Sequence, residues 1–234
     1  MDQLSKLLIQ IVHYTKLSDR KLYIDKIFDI EGLEINYILD YDQETLKDSV
    51  TNYKYLKDKN SFLNKIAELW KLDDERYRIL SDGEISCYFK HLQSLKNLYE
   101  SEKPYGLILE DDILMLKPFK HKINKILKKF EKTDWDIIFL GLGSGKDFIK
   151  LNSKREVRNL NYLKPYHPAS NCAEAYLIKK DSAKLLHEEM KSFNLPYDWE
   201  LAYKMYKLNF KVRWFYPPLF KQGSQDKTYK SSLR

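Results

Sequence analysis

Short apolar runs alternate with segments of helical period along this chain, and that alternation limits its fold more than any other feature. Leu7 to Tyr14, Glu34 to Leu39, Leu107 to Leu109, Asp136 to Leu140, Glu174 to Ile178 and Val212 to Phe215 read as strands. Helices are expected between them. One starts at Ser18 as a cap and runs through Arg20, Tyr23 and Ile27. Another spans Asn60 to Leu72, with Phe62, Ile66 and Leu69 on one face. Ser81-Asp82-Gly83-Glu84 is a capping box, in which Ser81 and Glu84 satisfy each other's backbone donors, so a helix runs from there toward Tyr99. Further helices are expected over Ile123 to Phe130, after Asp181 as a cap, and from near Asp198. Strands separated by helices imply an α/β fold with a mainly parallel sheet covered on both faces.

At 234 residues the chain suits one sizeable domain, expected over 1–221, with 222–234 as a polar, basic C-terminal tail. No apolar stretch reaches the roughly 20 residues that cross a bilayer. The first ten residues lack the pattern of a signal peptide, so a cytoplasmic location is the expectation. Cys87 and Cys172 lack metal or redox spacing and read as buried thiols. The net charge of +7 is spread among 34 acids. Nucleic-acid readers concentrate such charge on one face, so no nucleic-acid partner is expected despite 18 Tyr and 11 Phe. The oligomeric state is not legible.

Glu110-Asp111-Asp112 is the candidate site. The acids follow a buried strand, and open parallel sheets bind ligands beyond the carboxyl ends of their strands. Alternation along an extended chain puts Glu110 and Asp112 on one face and Asp111 on the other, where it supports the loop or a neighbouring cation. Two carboxylates together suit Mn²⁺ or Mg²⁺. The plain alternative is a solvated acidic turn. Gly141, Gly143 and Gly145 lack the spacing of a phosphate loop and read as a strand-end turn. His91 and His187, inside helices, read first as packing or surface residues. Asp198 and Glu200 are the candidate general bases outside the triplet, although both also suit a helix start.

Several blocks, taken in order, resemble glycosyltransferase family 25. They are Leu17-Ser18-Asp19-Arg20, Leu80 to Glu84 with Cys87 and His91, Leu107 to Asp112, and Trp135 to Gly141. Ala175 to Leu186, Pro196-Tyr197-Asp198, and Pro217-Pro218 with Gln222 complete the series. The resemblance implies a GT-A type, Rossmann-like fold, a UDP-hexose donor (galactose or glucose), a glycan or hydroxylated acceptor, and a divalent cation. It implies Arg20, Gly83 and Glu84 near the nucleotide, Glu110 and Asp112 at metal and diphosphate with Asp111 beside them, and Asp198 on the acceptor side. Lys90 stands where the family usually has Ser, Ser86 where it has Gly, and Asn171 to Glu174 where it has a Gly-Thr-His approach. A non-catalytic sugar-nucleotide or glycan-binding relative is the other reading.

Overall fold

The computed structural model describes residues 3–46, 53–70, 77–116, 118–131, 133–141, 143, 153–155, 162–165, 172–225 and 227–232. Its strands are β1 (Leu7–Val12), β2 (Asn36–Ile38), β3 (Lys54–Tyr55), β4 (Tyr105–Glu110), β5 (Ile113–Met115) and β6 (Ile137–Phe139). They continue as β7 (Ser153–Arg155), β8 (Tyr162–Pro165), β9 (Ala175–Lys179), β10 (Ser192–Phe193), β11 (Val212–Phe215) and β12 (Phe220–Gln222). The helices are α1 (Ser18–Glu31), α2 (Lys59–Trp70), α3 (Asp82–Glu100), α4 (Lys120–Phe130), α5 (Lys180–Glu189) and α6 (Tyr197–Lys207).

The main sheet has the order β2-β1-β4-β9-β6-β11-β8-β7. Six of its eight strands share one direction, and β9 and β8 oppose them. The chain is therefore mixed α/β with a mostly parallel sheet. Two small pairings, β10 with β3 and β12 with β5, lie outside that sheet.

Alternation along β4 divides the core. Leu107 and Leu109 join Ile24, Phe28, Ile123 and Leu127 on the α1–α4 side. Ile108 joins Phe89, Leu92, Leu186 and Leu201 on the α3–α5–α6 side. The period of two carries Glu110 to the face of Ile108, toward α3.

The capping box at Ser81 forms as expected. Glu84 N donates to Ser81 Oγ at 3.2 Å, and Ser81 N donates to Glu84 Oε2 at 3.0 Å. Other boundaries moved. Residue 17, not Ser18, caps α1, and Lys179, not Asp181, caps α5, neither with a side-chain bond. Pro196 precedes α6, so Asp198 lies inside its first turn. β1 stops at Val12 because the chain turns where Tyr14 meets Asp111. Trp70 ends α2, whereas the expected end at Leu72 falls outside the described residues, as do Gly145 and Asn171.

Candidate functional site

The three acids do not follow strand alternation. β4 ends at Glu110, Asp111 and Asp112 form a turn, and all three line one cleft. The turn is fastened from outside its own strand: Gly223 N donates to Asp112 O at 2.7 Å. A Cβ on Gly223 would sit 2.9 Å from that same oxygen and 2.5 Å from the Tyr229 ring, so only glycine permits this approach.

Each acid has its own surroundings. Asp111 Oδ2 lies 2.9 Å from His13 Nδ1 and accepts Tyr14 N at 3.0 Å, and Arg20 donates to Oδ1 at 2.6 Å. Burial raises its pKa, but the His13 hydrogen bond and the Arg20 charge outweigh that and hold it below the usual value. Asp112 Oδ2 accepts from Ser224 Oγ at 2.6 Å, whereas its Oδ1 is buried with no hydrogen-bond partner. Glu110 Oε1 lies 3.2 Å from His91 Nε2, and Oε2 accepts from Gln222 at 3.4 Å. Burial, and then the charges of Asp112 and Glu174, push the Glu110 pKa well up, and burial raises that of Asp112. Two carboxylates destabilised as anions, one with an orphaned oxygen, make a setting that a cation would relieve.

The cleft, of about 660 Å³, is walled by Val12 at the end of β1 and Tyr14 after it, Arg20 from α1, and Gly83, Ser86, Cys87 and Lys90 from α3. Gln43, Gln222, Ser224, Ser231 and Ser232 complete it. The stretch from Gln222 thus folds back over the acids: Arg20 donates to Lys230 O at 2.6 Å and stacks over Tyr229 at 5.0 Å. Lys90 is buried, with Nζ 2.7 Å from Asp42 Oδ1, and Thr15 donates to the same carboxylate.

A second cleft, of about 810 Å³, meets the first at Cys87, Glu110 and Gln222. Its other walls include Arg78, Glu84, Cys172, Tyr197, Asp198 and Trp199. Arg78 and Glu84 form a two-bond pair at 2.6 Å each, so Glu84 borders this cleft and not the first. Asp198 accepts from Trp199 N at 2.9 Å, and burial raises its pKa to about 7.

The candidates therefore divide by place. Arg20, Gly83, Glu110, Asp111, Asp112 and Gln222 come together in the first cleft, and Glu84 and Asp198 in the second. Glu200 lines neither: it is fully buried, binds Lys65 at 2.6 Å and accepts from Asn194 N and Leu195 N. His91 is buried behind Glu110, its ring stacked on Tyr197 at 3.8 Å. His187 packs against Tyr53 and Tyr99. Gly143 donates its N–H to Glu174 Oε1 at 3.0 Å, and a Cβ on Gly141 would strike that side chain at 2.0 Å, so this strand-end turn seats a buried acid.

Tyr14, Gln43 and Ser224 also line the first cleft without belonging to any motif, and Lys90, a departure from the family pattern, lines it too. Tyr14 was findable: it follows β1 as Glu110 ends β4, and β1 and β4 are parallel neighbours whose carboxyl ends open together.

The profile of "Glycosyltransferase family 25 (LPS biosynthesis protein)" matches residues 9–201. A relative from Anopheles gambiae described as "Glycosyltransferase 25 family member" is 25% identical over 199 residues, 84% of this chain and 31% of that one. Procollagen galactosyltransferase 2 of Mus musculus is 33% identical over 66 residues, 27% of this chain and 11% of that protein. The chain thus spans only a fraction of the length of these curated relatives. A solved glycosyltransferase involved in glycosylation of the major capsid of PBCV-1 aligns with a TM-score of 0.45 at 11% identity, covering 92% of this chain and 91% of that one. The family profile covers most of the chain and takes in the walls of both clefts other than Gln222, Ser224, Ser231 and Ser232. The chain belongs to glycosyltransferase family 25.

Proposed function

We propose that the chain transfers a hexose from a UDP-sugar to a hydroxyl of a glycan or hydroxylated acceptor, with inversion and with a divalent cation. One observation carries the reading. Three acids, at the end of β4 and in the turn after it, close a cleft at the carboxyl end of a mostly parallel sheet, and that cleft meets a second one holding a carboxylate with a pKa near 7.

The first cleft takes the nucleotide sugar, with its nucleoside toward Tyr14, Gln43 and Lys90. Glu110 and Asp112 fit a hard cation: both are buried carboxylates whose pKa values are raised, and Asp112 Oδ1 is buried and unpaired. Mn²⁺ or Mg²⁺ held there supplies charge compensation for the departing diphosphate. Asp111 does different work. Its oxygens are taken up by His13, Tyr14 and Arg20, so it anchors the turn.

The acceptor enters the second cleft. Asp198 takes the proton of the attacking hydroxyl as the new bond forms at the anomeric carbon and the bond to the UDP oxygen breaks. A carboxylate with a pKa near 7 is a stronger base than an ordinary one yet is still ionised in part at neutral pH. Galactose as the sugar draws on the named procollagen galactosyltransferase relatives.

The test is a panel of nucleotide sugars, with Mn²⁺ or with a chelator, read as release of free nucleotide. Release from UDP-galactose or UDP-glucose that needs metal is expected. UDP with Mn²⁺ at 100 times Kd should stabilise the fold by about 2.7 kcal/mol, a melting shift of roughly 5 °C or more. Binding without turnover on any acceptor favours a non-catalytic relative, and neither binding nor turnover overturns the donor site.

A further inference from the structure

Cys87 and His91 stand four residues apart on α3, so their side chains share one face of the helix. Glu110 reaches that face from the end of β4. The Cys87 sulfur, a His91 ring nitrogen and a Glu110 oxygen all lie within 4.8 Å of one another. We propose that these three side chains bind a divalent cation of the zinc class, on the side of Glu110 that faces α3, so that Glu110 stands between this ion and the hard-cation position it shares with Asp112.

The spacing fits such an ion. His91 Nε2 and Glu110 Oε1 are 3.2 Å apart. A tetrahedral centre with bonds of about 2.0 Å to nitrogen and oxygen holds those atoms about 3.3 Å apart. With a bond of about 2.3 Å to sulfur, the thiolate sits about 3.5 Å from each, so a movement of at most about 1.3 Å at Cys87 completes the set.

The surroundings of His91 also fit. Its far nitrogen, Nδ1, is 3.2 Å from the Tyr176 hydroxyl, which lies 2.8 Å from the Tyr197 hydroxyl. Its ring lies flat on Tyr197, with the planes 5° apart. A ligating imidazole is ordinarily fixed in this way, by a hydrogen bond on the nitrogen that faces away from the metal. With Nδ1–H donating to Tyr176, the Nε2 lone pair is left for the side of Glu110.

The ligand chemistry selects the ion. One thiolate, one imidazole and one carboxylate suit Zn²⁺ or Co²⁺, whereas Mg²⁺ and Mn²⁺ favour oxygen alone. Only Oε1 of Glu110 faces this set, because Oε2 is turned to Gln222. Cys87 and Glu110 border both clefts, so the fourth coordination position opens where the clefts meet.

The site shares Glu110 with the donor reading, but Cys87 and His91 belong to it alone, and metal without nucleotide tests it. The chain, stripped by chelator, is titrated with Co²⁺ and followed by absorption. A thiolate-to-cobalt charge-transfer band with the visible bands of a tetrahedral centre is expected, and Zn²⁺ should displace it. Cys87→Ser should lose the charge-transfer band and weaken Zn²⁺ binding about tenfold or more, while Cys172→Ser keeps both. Tyr176→Phe should keep the band yet weaken Zn²⁺ binding by about 10- to 100-fold, the scale for a lost outer partner. Near-ultraviolet circular dichroism checks that each variant is folded. No band in the parent chain, an unchanged band in Cys87→Ser, or its loss in Cys172→Ser overturns the site. A missing UDP–Mn²⁺ melting shift overturns the donor reading alone.

Discussion

Arg20 on α1 donates to the Asp111 carboxylate at 2.6 Å, and both side chains are more than nine-tenths buried. Removing one charge strands the other, which in buried pairs costs about 3–5 kcal/mol. Asp111→Asn should therefore lower stability by that order, measured by urea unfolding. A loss under about 1 kcal/mol would show that the pair behaves as a surface ion pair. The pH sign follows from the lowered pKa. The contribution of Asp111 is present above its unfolded value of 3.8 and is lost as pH falls through the lower folded value.

Asp112→Asn should behave differently. Its Oδ1 has no partner to lose and Ser224 can still bond the amide oxygen, so the fold should survive. The melting shift given by UDP with Mn²⁺ should disappear, and Asp111→Asn, where folded, should keep part of it. A full shift in Asp112→Asn removes that residue from the cation site.

Asp198 and Glu200 lie two residues apart and should separate cleanly. Asp198→Asn should cut transfer by about 10² or more while leaving UDP binding intact. Glu200→Gln should destabilise, because Lys65 is mostly buried and loses its partner, while the folded fraction keeps its turnover. The check is turnover per folded molecule beside a melting curve. A dead but stable Glu200→Gln would reverse the two roles.

The activity should rise with pH through about 7, as Asp198 loses its proton. Stability should run the other way. The folded value is raised above the unfolded 3.8, so the folded state holds the proton more tightly. The resulting stability is fully present below about 3.8 and is lost as pH rises through about 7. Asp198→Asn should flatten both profiles, and an unchanged rate profile in that variant would locate the titration elsewhere.

Ser81→Ala should cost about 1 kcal/mol, since it removes the acceptor for Glu84 N and loosens the start of α3. Thermal unfolding measures it. A neutral result would mean that the Arg78–Glu84 pair holds this helix end unaided.

The alternation of strands and helices was legible because each element carries its own apolar period, and the capping box because its partners are three residues apart. The triplet was found for a similar reason: a buried strand ending in acids is a local pattern. Its geometry was not legible. The turn at Asp111 and Asp112 is set by Gly223, Ser224 and Arg20, which lie about ninety or more positions away in the sequence, and no local rule reports such partners. Glu200 and Asp198 are equivalent in local pattern, and only the pairing with Lys65, 135 residues upstream, sets Glu200 apart. β9 and β8 run against the sheet because strand direction follows connection path, which periodicity does not encode.

Glu110 is a wall of both clefts, and this has a thermodynamic corollary. Two ligands that each change the electrostatic state of one shared carboxylate cannot associate independently. If an occupant of the first cleft alters affinity in the second by some factor, the second alters affinity in the first by the same factor. A dissociation constant measured with one cleft empty therefore describes a different equilibrium from the one that holds when both are filled.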